Sequence, residues 1–193
     1  QMRNWYYFNW LCGDHILEQH IHNIDVANWI LNEYPVSANG MGGREVRNGL
    51  DHGQIFDHHY VEFNYSSGAV ISSQCRHQPG TTRNVSERFQ GTKGSVSFKK
   101  NKITDLNGNE IYSYKQRGDK SPYQIEHDKL FKSIRDGNVI NDGEYGAKST
   151  LTAIMGRMAT YTGQEIKWDQ IMESDQNLVP DNLDWGSTPP VIP

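Results

Sequence analysis

Cysteine is scarce in this chain: two in 193 residues, Cys12 and Cys75, far apart in the sequence. That separation excludes a cysteine-built metal knuckle and leaves two buried thiols or one disulfide. Long apolar runs are lacking, none approaching the roughly 20 residues that cross a bilayer, so no membrane partner is expected. Positive charge is not in excess either: 19 lysines and arginines against 23 aspartates and glutamates give a formal net charge of −4. The basic residues are scattered rather than striped, and nucleic acid is not an expected partner. Signatures of a self-sufficient active site are missing as well: no P-loop, no GxSxG turn and no HExxH helix. "GMGGREVR" at 40–47 has three glycines, but it is not GxGxxG and has no strand-to-helix context for a dinucleotide. The opening "QMRNWYYFNW" has no charged-then-apolar leader and reads as the middle of a longer protein.

What is present begins with "CGDHILEQHIHNID" at 12–25, which holds three of the chain's eight histidines and three carboxylates. Residues 14–34 are predicted as one helix, with Asp14 as N-cap and Leu17, Ile21, Ile24 and Leu31 on its apolar face. Pro35 closes it, because the residue before a proline avoids helical geometry. Glu18, His22, Asp25 and Trp29 fall on a second face.

From 36 to 116 the pattern changes to short runs rich in Val, Ile, Phe and Tyr, separated by turn signals such as Ser67-Gly68, Pro79-Gly80 and Asn107-Gly108. This predicts an antiparallel meander. Helices are predicted over 121–136, capped by Ser121 with Pro122 in the first turn, and over about 146–161. "QEIKWDQIMES" reads as a short strand leading into a helical turn. The prediction is an α+β fold: a largely antiparallel, open-faced sheet with helices on one face. Residues 1–180 form one domain in this reading, and 181–193 an extended, proline-rich tail. The uncovered sheet face points to a homo-oligomer.

The chemistry of the polar stripe has three readings. Glu18 and His22, four apart, project from one side of a helix, as an acid/base pair requires. A metal reading uses His15, Glu18 and His22, with His58 or His59 from "FDHH"; strand alternation lets at most one of those two serve a given site. The third reading is a solvated helix face. Arg44, Arg47 and Arg76 are candidates for reaching a polar or anionic substrate. Asn64 and Asn84 open glycosylation-type triplets of a kind that also arises by chance.

Taken together, "GDHILEQHIHNIDVANWIL", "GMGGREVRNG", "IFDHHYVEFNY", "QCRH", "VSERFQGTKG" and "LTAIMGRMATYTGQEIKWD" resemble the C-terminal domain of Gfo/Idh/MocA-type oxidoreductases, in a bacterial branch, over about residues 5–180. In that family a helix carries an Asp-x-Gly-x-His-x-x-Asp pattern. Glu18 matches the first aspartate, His20 the glycine, His22 the catalytic histidine and Asp25 the last aspartate. Glutamate at 18 and histidine at 20 are departures from the pattern.

The resemblance implies that His22 is the acid/base for a hydroxyl of a sugar-like substrate, with Glu18 assisting. Asp25, His15, Arg44, Arg47, His58 and Arg76 are the expected substrate contacts, and no metal is expected. It also implies NAD or NADP in the intact protein, held by an N-terminal Rossmann domain whose glycine motif and Glu-Lys-Pro lysine are not in this sequence. On this reading the chain is a substrate-binding and oligomerisation half, inactive by itself. An NAD-dependent glycosidase of the same family, or a metal-dependent sugar isomerase or hydrolase, are the alternatives. The compartment stays open between bacterial cytoplasm and periplasm.

Overall fold

The computed structural model describes residues 2–49, 52–115, 118 and 120–187. The chain is mixed α+β with antiparallel sheets, as predicted, and divides into two compact units, 1–81 with 145–193, and 82–144.

The first unit starts with a 3-10 helix, Met2–Tyr7, and a single helical turn, α1 (Asn9–Cys12). Gly13 stops that turn at φ 76°, left-handed backbone that glycine adopts freely. The helix predicted over 14–34 is broken in two: α2 (His15–Glu18) and α3 (Ile21–Leu31). Asp14 does not cap it, because its side chain is turned inward to other partners. At the break the backbone N–H of His20 returns to the carbonyl of His15, and the His20 ring reaches Ser73 Oγ at 2.8 Å. Asn32, in left-handed geometry, ends α3 before Pro35 does. The apolar spacing holds: Ile24 is buried, and Leu17, Ile21 and Leu31 pack against the core.

Four strands then form one antiparallel sheet in the order β3-β2-β1-β8: β1 (Pro35–Gly43), β2 (His58–Tyr65), β3 (Val70–Arg76) and β8 (Ile166–Lys167). Along β2, His59, Val61, Phe63 and Tyr65 point inward while Tyr60 points outward, the period of two that the pleat imposes. The inner face meets α5 (Gly143–Thr162). Contact is close because that helix turns small groups inward: Ala153, Gly156 and Ala159 are buried. A Cβ on Gly156 would lie 2.8 Å from Phe63 Cζ and 3.2 Å from Ile16 Cδ1. Of the larger apolar side chains on this helix, Met155 is fully buried, while Leu151 and Met158 pack partly against the core. The short helix α6 (Trp168–Met172) follows β8, as the sequence suggested, and adds Ile171 to the core.

The second unit is a four-stranded antiparallel meander, β4 (Arg88–Gly91), β5 (Gly94–Ser97), β6 (Lys102–Asp105) and β7 (Glu110–Ser113), followed by α4 (Pro122–Asp136). The caps of α4 are those predicted: Ser121 Oγ accepts from the Gln124 N–H at 3.2 Å, and Gly137 closes the helix in left-handed geometry. Its apolar residues Ile125, Leu130, Phe131 and Ile134 are all exposed. No described helix is long and apolar enough to cross a membrane. Of the predicted tail, residues 188–193 lie outside the described residues.

Candidate functional site

The first turn of α3 presents His22 to solvent, and no described residue hydrogen-bonds its imidazole. Glu18 ends α2, half-buried, and its Oε2 is shut away from water without a hydrogen-bond partner. Asp25, one helical turn on from His22, accepts from Tyr145 Oη at 2.7 Å and from Ser149 Oγ at 2.5 Å. Those bonds tie α3 to α5, so Asp25 acts as a clamp between helices and orients the face that carries His22.

The other histidines of the motif turn inward. His20 is held by Ser73, and burial, followed by the charge of His15 and His59, lowers its pKa to about 4. A histidine at that value is neutral at physiological pH. His15 is buried, with Nδ1 at 3.0 Å from Asp14 Oδ1 and 3.1 Å from the Phe56 carbonyl oxygen. His59, reaching in from β2, places Nε2 3.1 Å from the same Asp14 Oδ1.

Asp14 is the hub of this network. Its Oδ2 accepts from Tyr161 Oη at 2.6 Å and from the Phe56 N–H at 3.2 Å. Burial opposes its charge, but the hydrogen bonds and charges of His15 and His59 outweigh that and hold its pKa well below the usual carboxylate range. The backbone at Asp14 has φ 93° and ψ 156°, a region that is essentially glycine's. Burial lowers the pKa of His59 in spite of Asp14, and burial with Asp14's charge pushes the Tyr161 phenol up.

The basic residues are engaged locally. Asp57, fully buried, pins the segment after β1: its Oδ2 accepts from the N–H groups of Glu45 and Val46 at 2.7 and 2.8 Å. Burial again opposes the charge, and the bonds from His58 and these amides bring the Asp57 pKa to about 2. Within that segment Arg44 donates to the carbonyl of Arg47, and the Arg47 guanidinium lies 3.6 Å from the Tyr7 ring centre. His58 Nδ1 sits 2.8 Å from Asp57 Oδ1, with its ring half-exposed, and Arg76 is exposed at the end of β3. The structure thus brings His15 into a buried cluster, leaves His22 open, folds Arg44 onto its own loop and lays Arg47 over Tyr7.

Sequence reasoning missed Asp57 and Tyr161, took Asp14 only for a helix cap, and offered His59 only as an alternative to His58 in the metal reading. The alternation of "HHYVEFNY" carried one usable signal, since His59 shares its parity with Val61, Phe63 and Tyr65. Asp14 and Tyr161 are 147 positions apart, and no local pattern links them.

The glycines at 40–43 belong to strand β1 rather than to a strand-to-helix turn. A Cβ on Gly40 would meet the Tyr60 carbonyl oxygen at 2.5 Å, and one on Gly42 the His58 oxygen at 2.6 Å. They allow close strand pairing, and this segment is not a pyrophosphate-cradling turn.

No curated protein matches the chain. Among solved structures, an oxidoreductase structure from Thermotoga maritima is similar at 22% identity, covering 85% of this chain and 50% of that one, with a TM-score of 0.65. The aldose-aldose oxidoreductase of Caulobacter crescentus, solved with glycerol, is 18% identical over 84% of this chain and 50% of its own, again at 0.65. Levoglucosan dehydrogenase, solved with NADH and levoglucosan, is 16% identical over 84% and 53%, at 0.60. The chain spans about half the length of these proteins, and at such identities the likeness is one of fold. The family model described as the GFO/IDH/MocA C-terminal domain matches residues 1–97, half of the sequence. By that match the chain belongs to the GFO/IDH/MocA C-terminal domain family.

Proposed function

We propose that this chain is the substrate-binding and subunit-contacting part of a nicotinamide-dependent oxidoreductase acting on a sugar, polyol or glycoside, with His22 as its acid/base. The observation that carries this reading is the contrast among the motif's histidines: His15 and His20 are locked into buried partners, whereas His22 stands open on α3. An acid/base group must reach the proton that it moves, and an unengaged imidazole has both nitrogens available. Glu18 is the assisting carboxylate of this proposal; the break between α2 and α3 takes it off the helix of His22, and its buried Oε2 has no hydrogen-bond partner.

The nicotinamide, brought by a part of the protein outside this chain, supplies hydride transfer. This chain's residues contribute the rest. His22 accepts the hydroxyl proton of the substrate, and Asp25 holds α3 against α5 while it does so. The substrate class is supported by similar folds in proteins solved with glycerol or levoglucosan.

Self-association through the sheet is part of the same proposal. On the outer face Met41 lies opposite Tyr60, and both are exposed. Light scattering on the purified chain is expected to give a dimer or higher species; a monomer at all concentrations sinks that part.

The functional test is a panel of sugars, polyols and glycosides offered to the intact protein with NAD+ or NADP+. Reduced nicotinamide formed in proportion to oxidised substrate supports the reading. Glycoside cleavage without net reduction points to the glycosidase alternative, and no reaction with any substrate refutes both.

A further inference from the structure

The buried cluster below the open histidine has an arrangement that the acid/base reading does not use. Asp14 Oδ1 stands between two imidazole nitrogens, His15 Nδ1 at 3.0 Å and His59 Nε2 at 3.1 Å, and the three atoms all lie within 4.8 Å of one another. All three residues are buried.

Thr160 Oγ1 lies 2.9 Å from both the Arg157 carbonyl oxygen and His59 Nδ1, and its single proton serves one of them at a time. When it goes to His59, the Nε2–H donates to Asp14 Oδ1 and the pair is satisfied without an ion. When it goes to the carbonyl, His59 is protonated on Nδ1, and its Nε2 lone pair faces Asp14 Oδ1 in a dry interior, where two acceptors need a cation between them. That second arrangement is the one that receives a metal dication.

Two of the three ligands also have outer support of the kind a metal centre uses, whereas His15 Nε2 is buried without a partner. Thr160 fixes the ring of His59, while Tyr161 and the Phe56 N–H fix Asp14 through Oδ2, leaving Oδ1 for the ion. The left-handed backbone at Asp14 keeps its carboxylate aimed inward.

We propose that Asp14 Oδ1, His15 Nδ1 and His59 Nε2 form a structural site for a zinc-type transition dication. The Phe56 carbonyl oxygen, 3.1 Å from His15 Nδ1, offers a further oxygen on the His15 side of the cluster. Two imidazoles and two oxygens suit a borderline ion of this kind, whose ligand atoms stand about 3.3 Å apart around a tetrahedral centre. On binding, the proton of His15 Nδ1 moves to Nε2, and any proton bridging His59 and Asp14 leaves to solvent. The ion joins the start of α2 to strand β2, and so fixes the root of the segment that ends in Glu18 and His22. The site is independent of the role proposed for His22, and its tests need no turnover.

The test uses the tag-free chain, stripped with a chelator and titrated with Zn2+ and with Co2+. We expect about one equivalent bound, a higher thermal midpoint with zinc, and four-coordinate cobalt bands without thiolate charge transfer, which keeps Cys12 and Cys75 out of the site. His59→Gln and His15→Gln should each weaken zinc binding by at least about tenfold, while His127→Gln in α4 leaves it unchanged. Should both cluster variants fail to fold, the wild-type titration still decides. Less than about a tenth of an equivalent with no midpoint shift overturns the site. So does an equivalent retained in both folded variants, or one bound through thiolate.

Discussion

Replacing Tyr161 by phenylalanine removes one oxygen from the buried network and leaves the ring in place. The ring is stacked on Phe56 with centroids 3.9 Å apart and planes 17° from parallel, so packing is conserved. What is lost is the 2.6 Å bond from the Tyr161 hydroxyl to the Asp14 carboxylate, together with an acceptor for Asn9 Nδ2 at 3.3 Å. The Phe56 N–H keeps a partner in Asp14 Oδ2. A buried hydrogen bond to a charged group contributes roughly 1.5–3 kcal/mol, and the loss of the phenol's own burial cost offsets part of it. The expected destabilisation is about 2 kcal/mol. Urea unfolding in chelator-containing buffer measures it, with an unchanged slope. An Asp14→Asn, Tyr161→Phe cycle should give a coupling of about 1 kcal/mol or more. A loss below about 0.5 kcal/mol, or a coupling near zero, would refute the view that Tyr161 and Asp14 share a stabilising bond.

Two further outcomes follow from the packing and from the buried histidine. Gly156→Val forces Phe63 and Ile16 aside, since even a Cβ comes within 2.8 Å of the Phe63 ring; a loss of about 1–3 kcal/mol is expected in urea, and a stabilised variant would contradict the close helix–sheet contact. His20 has a pKa of about 4, lowered by burial and then by His15 and His59, whereas an unfolded histidine titrates near 6.5. Between those values the unfolded chain binds a proton that the native chain does not, so stability is complete above about pH 6.5 and falls as the pH drops, by on the order of 3 kcal/mol at pH 4. His20→Gln should show a smaller acid loss between pH 7 and pH 4.5 than the wild type, and equal losses would contradict the assignment.

The parts legible in the sequence were those governed by local rules. Ser121, Pro122 and Gly137 bound α4 where capping chemistry places them, and the turn signals separate strands that pair antiparallel. The apolar residues of the 14–34 segment bury where helical spacing puts them. Illegible were the features set by distant partners. The break at Gln19 and His20 accompanies a bond from His20 to Ser73 in another element. Asp14 looked like an N-cap because its neighbours suit one, yet its ligands come from β2 and from the last turn of α5. The inner face of α5 escaped the apolar pattern because close approach to the sheet favours alanine and glycine, and because buried Arg157 reaches the Gly13 carbonyl at 3.1 Å. Of the proposed site, the sequence singled out His22, Glu18 and Asp25, of which the structure leaves His22 exposed and ties Asp25 to Tyr145 and Ser149 of α5. It did not reveal that His15 and His20 belong to a separate, buried arrangement.

The account rests most on His22. The direct measurement is kcat for sugar or polyol oxidation by the intact protein, wild type against His22→Gln, with circular dichroism confirming the fold. Loss of the acid/base is expected to lower kcat by roughly 10²–10⁴-fold while cofactor binding is unchanged. A variant that keeps kcat within about twofold of wild type would contradict it.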